Sequence, residues 1–258
     1  MRAGAAAERS SRSATAPRAS RRAAGPVLTT TLISGANKGL GRETARRLLA
    51  EGHTVWAGAR DPGRGREAAE QLGARFVQLD VTDQQSVDSA VALIEREDGA
   101  LDVLVNNAGI AGRRTPVPET TVEQLRDVYE TNVFGVVRVI QAFTPLLLRS
   151  EHPVVVNVSS GMGSIAVTTD PARLESGLIG LAYPSSKTAV NMLTSQYAKA
   201  YPQMRINAVD PGYTATDLNR HRGTQSIEEG AEAIVRAALL GPGGPTGGFF
   251  DAAGAVPW

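Results

Sequence analysis

The run Val27-Leu28-Thr29-Thr30-Thr31-Leu32-Ile33 leads directly into Ser34-Gly35-Ala36-Asn37-Lys38-Gly39-Leu40-Gly41, and RETARRLLAEG (42–52) follows at once. A β-branched apolar run, a glycine-rich turn and an amphipathic stretch predict strand, loop and helix in that order. Glycines at 35, 39 and 41 allow a sharp turn and let a pyrophosphate approach the positive end of a helix. Alone, such a turn is a common joint between strand and helix. At the end of a first strand and inside a βαβ unit, it reads as a nucleotide site. Gly52 stops the helix in the manner of a C′ glycine.

Outward from this turn the pattern repeats. Apolar runs at 53–58, 74–79, 101–105, 153–158 and 204–209 read as buried strands, with helical stretches near 40–51, 64–72, 84–98, 121–149, 183–201 and 227–240. This alternation predicts an α/β chain: a Rossmann-type, doubly wound parallel sheet flanked by helices. Ligands of such sheets bind beyond the carboxyl ends of the strands, so the chemistry belongs in the loops that follow them. Nothing resembling a linker divides residues 27–258, which are expected to form a single domain. Residues 1–26 are low-complexity Ala/Arg/Ser. They read as a disordered extension or an over-long start, with an Arg-rich, acid-poor transit peptide as the alternative.

Composition excludes several classes. The 258 residues carry a formal net charge of +1, but six arginines against Glu8 give residues 1–26 a net of +5, leaving the remainder mildly acidic. A nucleic-acid-binding body needs a concentrated basic face, so none is expected. With no cysteine there is no disulfide, thiolate metal site or thiol nucleophile, which suits a reducing, cytoplasmic setting. No window of 18 apolar residues predicts a membrane span. His53, His152 and His221 have no metal-binding spacing.

The second strand ends in Ala57-Gly58-Ala59-Arg60, where an NAD site would place a carboxylate for the ribose hydroxyls. Ala59 stands there instead. Arg60 and Lys38 are two cations able to converge on a 2′-phosphate, so NADP(H) is expected over NAD(H). Asp61, in the apparent turn Asp61-Pro62-Gly63, is the residue that argues the other way.

Reducing a carbonyl with a nicotinamide takes a hydride at carbon and a proton at oxygen, so an acid must stand beside the ring. Tyr183 and Lys187 are four apart and share one face of a helix. A neighbouring ammonium would lower the phenol's pKa from its usual value of about 10. Pro184 fits the first helical turn. An isolated pair of this kind is more often a surface feature.

Here it is not isolated. SGANKGLG (34–41), Asp80-Val81, NNAG (106–109), Asn132, NVSS (157–160), Tyr183-Pro184-Ser185-Ser186-Lys187 and DPGYTAT (210–216) stand in the order and rough spacing of the classical short-chain dehydrogenases/reductases. The resemblance covers essentially all of 27–258. It implies that Ser160 holds the substrate oxygen, Tyr183 is the acid, Lys187 touches the nicotinamide ribose, and Asn132 holds a water in a proton relay. Cofactor contacts are implied for Gly35, Asn37, Lys38, Gly39, Leu40 and Gly41, for Arg60, and for Asp80 and Val81 around the adenine. Asn107, Ala108 and Gly109 would line the cleft. Pro211 and Gly212 would turn the chain so that Thr214 approaches the carboxamide. Strand alternation sends Ser159 and Ser160 in opposite directions.

Ser160 and Tyr183 are 23 residues apart, wider than in the oligomeric members, so a segment around Ala166–Leu181 is extra. That insertion resembles the carbonyl-reductase-like branch and weighs towards a monomer. Met162, Leu178, Ile179, Leu181, Tyr213 and Leu218 predict a largely apolar pocket for a neutral aldehyde or ketone. The sequence thus points to an NADPH-dependent carbonyl reductase. The alternatives are a secondary-alcohol dehydrogenase, a ketoacyl reductase, or a non-catalytic NADP sensor.

Overall fold

The computed structural model describes residues 29–258. The proposed extension at 1–26 and the first two residues of the opening strand lie outside the described residues. The strands are β1 (Thr30–Ser34), β2 (Thr54–Ala59), β3 (Arg75–Gln78), β4 (Val103–Asn106), β5 (Val154–Val158), β6 (Arg205–Val209) and β7 (Phe249–Phe250). They form one sheet in the order β3-β2-β1-β4-β5-β6-β7, with every pair parallel. The strand order reverses between β1 and β4. The turn after β1 therefore faces the loop after β4, where a doubly wound sheet opens its ligand crevice.

The strands form because they are β-branched and buried on both faces: β1 and β5 expose no residue. Successive side chains serve different cores, as the two-residue period requires. Leu32, Leu104, Val155 and Ile206 pack on one side with α3 (Gln84–Asp98), α5 (Gly135–Leu147) and α7 (Ala182–Ala200). Ile33, Val105, Val156 and Val209 pack on the other with α1 (Gly39–Ala50), α2 (Pro62–Leu72) and α8 (Ile227–Ala238). Phe143 on α5 is fully buried. Its truncation to alanine would cost roughly 3–5 kcal/mol.

Three local structures depart from expectation. Asp61 does not sit in a free turn: its carboxylate caps α2 by accepting from the Arg64 amide at 3.0 Å, and Pro62 takes the first helical position. The stretch expected as one helix at 121–149 is two, α4 (Val122–Tyr129) and α5. They are joined by a π-turn over Glu130–Phe134 in which the Gly135 amide reaches back to the Glu130 carbonyl. One extra residue per turn leaves apolar periodicity on either side nearly intact, so the sequence hides it. The insertion contains a short helix, α6 (Ile165–Thr169), and a helical turn at Leu174–Gly177.

The insertion is fastened to the tail. The Ala166 amide donates to the Trp258 carbonyl at 3.2 Å, and the Ser164 hydroxyl donates to the Pro257 carbonyl at 2.6 Å. The Trp258 ring stacks on Phe249 of β7, 5.4 Å between centroids. Among the described residues no helix is long and apolar enough to cross a membrane.

Candidate active site

The turn after β1 has the geometry of an anion cradle. Gly35 and Gly39 have φ of +67° and +55°, conformations that strain other residues. A Cβ at Gly41 would overlap the Asn107 side-chain nitrogen, so this turn admits no side chain there. Asn107 stitches the crevice shut at that point: its side-chain amide donates to the carbonyls of Ser34 and Gly35 at 2.9 and 3.1 Å. Helix α1 begins at Lys38 in extended conformation with no side chain capping it. Its first-turn amides are left for an anion, which is the fit a dinucleotide pyrophosphate requires.

Sequence reasoning assigned no role to Ser34, Asn106 or Asn157. The Ser34 hydroxyl accepts the amides of Asn107 and Ala108, both at 3.0 Å, and so fixes the two facing loops against one another. Asn106 donates to Asn157, and Asn157 to Thr194, each at 2.9 Å. A polar residue inside an otherwise apolar buried strand must find a partner, and that was the signal available.

Around the nucleotide end, Ala59 is buried and Arg60 exposed. The Lys38 ammonium reaches Asp217 at 2.6 Å, on the loop after β6. Asp61, spent on its helix cap, does not take the place of a ribose acceptor. Asp80 turns its carboxylate to the amide and hydroxyl of Thr82 at 2.9 and 2.7 Å. Val81 is buried, and its carbonyl accepts from Arg138 at 2.6 Å.

Just beyond β5, Ser159 and Ser160 engage different residues of α7. Ser159 is buried and donates to Asn191 at 2.6 Å. Ser160 accepts the Met162 amide at 3.2 Å and lies beside the Tyr183 hydroxyl. Tyr183 stands in the first turn of α7. One turn on, the Lys187 ammonium donates to the Val158 carbonyl at 2.8 Å and lies 5.6 Å from the centre of the Tyr183 ring.

Asn132 is 1% exposed, inside the π-turn, and its side chain makes three hydrogen bonds to protein. It accepts the Ile110 amide at 2.9 Å and donates to the Ile110 carbonyl at 2.9 Å and to Ser186 at 3.0 Å. Ser186 in turn donates to the Tyr183 carbonyl at 2.7 Å. Asn132 thus links the loop after β4 to the first turn of α7. Gly109 lies between: a Cβ there would stand 3.4 Å from the Asn132 oxygen and 3.7 Å from the Lys187 nitrogen.

Electrostatics differ from expectation. Burial pushes the Tyr183 phenol up to about 12, opposed by Ser160 and reinforced by the negative charge of Asp210. Burial pulls the Lys187 ammonium down to about 8, with Asp210 opposing. The predicted lowering of the phenol by Lys187 is therefore not met in the protein alone. The ammonium sits over the ring and bonds a carbonyl instead of facing the hydroxyl. Thr214 also departs: its hydroxyl donates to the Pro211 carbonyl at 3.0 Å and packs on Gly230, turned into its own loop. Ile179 (87% exposed), Leu181 and Leu218 are no part of the core and are available as an apolar surface.

Comparison with known proteins accords with this arrangement. A family model described as short chain dehydrogenase matches residues 29–226. The (+)-neomenthol dehydrogenase of Capsicum annuum is 32% identical, over 85% of this chain and 94% of the relative. Salutaridine reductase from Papaver somniferum superposes with a TM-score of 0.76 at 30% identity, covering 87% of this chain and 99% of that one. An NADPH bound carbonyl reductase from chicken fatty liver superposes with a TM-score of 0.78 at 29% identity, covering 90% and 99%.

Proposed function

The chain belongs to the short chain dehydrogenase family, oxidoreductases acting on CH–OH and C=O groups, and on that premise we propose that it is an NADPH-dependent carbonyl reductase. The observation that carries the reading is the meeting of Ser160, the Tyr183 phenol and Lys187 in one crevice opposite the glycine turn. Carbonyl reduction needs a proton donor at the substrate oxygen, and the Tyr183 hydroxyl beside Ser160 is the group placed to supply it.

The residues that would hold the dinucleotide are Gly35 to Gly41, Asp80, Val81, Asn107 to Gly109, Lys187 and Pro211 to Thr214. When bound, the nicotinamide supplies the hydride. Ser160 donates a hydrogen bond to the substrate oxygen and steadies the negative charge that grows there. Tyr183 gives its hydroxyl proton to that oxygen, leaving an alcohol and a phenolate. The Lys187 ammonium stabilises the phenolate. Asn132 keeps Ile110 and the first turn of α7 in register.

Preference for NADPH is supported by Ala59 in place of an acid, by Asp61 being held in a helix cap, and by the nearby cations Lys38 and Arg60. The NADPH bound neighbour points the same way. The substrate is a neutral, apolar ketone or aldehyde, since Ile179, Leu181 and Leu218 offer apolar surface and relatives are named for menthone, isopiperitenone and salutaridine.

The test is nicotinamide oxidation, followed by absorbance with NADPH and NADH against a panel of ketones, aldehydes and quinones. Tyr183→Phe should cut turnover by roughly 10²–10⁴-fold while NADPH binding persists. Undiminished turnover in that variant refutes the acid. A tenfold preference for NADH refutes the cofactor.

A further inference from the structure

Asp210 is a buried carboxylate, 4% exposed, that the reaction as written does not use. It directly follows β6, and one oxygen accepts the Gly212 amide at 2.9 Å, across the turn after that strand. The other oxygen lies against Gly161, the residue after Ser160: a Cβ at 161 would stand 2.9 Å from it. That same Cβ would stand 2.8 Å from a carboxylate oxygen of Glu175, which belongs to the inserted segment. Two acids from distant parts of the chain thus converge on one glycine beside the candidate oxyanion donor. Asp210 is moreover the one acid whose charge bears on both Tyr183 and Lys187.

We propose that Asp210 is a positioning residue of the catalytic centre, whose buried charge clamps the Ser160 loop to the Gly212 loop, with Glu175 of the insertion as its electrostatic partner. The role rests on the assignment of Ser160, Tyr183 and Lys187 made above. The groups facing Asp210 are Glu175 from the insertion, Asp251 after β7, Glu229 of α8 across a small cavity of about 140 Å³, and Tyr183 and Lys187 of α7. Burial holds the Asp210 carboxyl above its ordinary value, Glu175 and Asp251 raise it further, and the Gly212 and Gly161 amides oppose. Asn at 210 keeps the shape and the acceptor for one of the two amides, and loses the charge together with the second acceptor.

The experiment titrates the Tyr183 phenol by ultraviolet absorbance in the full chain, taking each protein as a difference against its Tyr183→Phe counterpart. In Asp210→Asn the midpoint should fall by roughly half a pH unit or more, as removal of a nearby buried charge requires. A midpoint that stays put overturns the proposal. In turnover, Asp210→Asn should lower kcat and raise the NADPH KM as well, because Asp210 holds the Gly212 loop, whereas an unchanged kcat overturns it. Should Asp210→Asn fail to fold, Glu175→Gln on the half-exposed segment reads the same coupling through thermal melting. A carboxyl held above its unfolded value costs stability as pH rises from about 4 through its folded value. Glu175→Gln should shrink that loss, and an unchanged profile overturns the proposal. Titration and melting need no turnover. Wild type that reduces no carbonyl defeats the reading above, while a static midpoint in an active enzyme defeats only this one.

Discussion

Replacing Asn132 with alanine separates two ways in which this residue can serve the reaction. The side chain makes three hydrogen bonds, all to protein, in a site 1% exposed. At about 0.5–1.5 kcal/mol each, with about 0.5 kcal/mol regained because alanine is the better helix former, the loss is roughly 1–4 kcal/mol. For a domain of this size each kcal/mol moves the melting temperature by roughly 2–4 °C, so a fall of several degrees is expected. Catalysis should fail through geometry: Ile110 loses both of its bonds to the π-turn, and Ser186 loses its link to Asn132. Asn132→Asp, which keeps the acceptor for the Ile110 amide but sets a carboxylate oxygen against the Ile110 carbonyl in a buried site, should lower the melting temperature at least as far as alanine does. Thermal unfolding and steady-state turnover on the same preparations make the test. If melting moved by less than about one degree while turnover vanished, Asn132 would have to act on the reacting groups directly, and the anchoring argument would be wrong.

Two further outcomes follow from the charges. Lys187 falls to about 8 in the fold from an ordinary 10.5. The unfolded chain therefore binds the extra proton between those values, and stability should rise with pH across that window, while turnover falls as the ammonium is lost. In Lys187→Met both trends should disappear from melting curves and pH–rate profiles, and their persistence would contradict the placement of the charge. Asp217→Asn frees Lys38 from an exposed ion pair whose own worth is below about 1 kcal/mol. It should tighten NADPH binding more than NADH binding at low salt and less as salt is added. Equal effects on the two nucleotides, measured by fluorescence titration, would show that Lys38 does not reach the 2′-phosphate.

The sheet was legible because fully buried parallel strands read as unbroken β-branched runs, and VVVNV at 154–158 could hardly be anything else. Ser160 and Lys187 were legible for another reason: strand alternation and helical spacing fix directions locally. What was hidden depends on partners far along the chain. Lys38 meets a carboxylate 179 residues away. Glu175 and Asp210 share a glycine that neither borders in sequence. The π-turn was hidden because a single added residue alters hydrogen bonding without disturbing the apolar pattern that reveals a helix. The two-residue strand β7 was too short to show a period.

The lacing of α6 to the tail has an implication for how the protein comes to be made. The nucleotide half, β1 to β4 with its glycine turn, is complete in sequence by residue 109. The inserted segment that precedes Tyr183 takes its final braces from Phe249, Pro257 and Trp258. During synthesis, then, the glycine turn and the loop it faces leave the ribosome well before Lys187, the Pro211–Thr214 loop and the tail that complete the crevice around them.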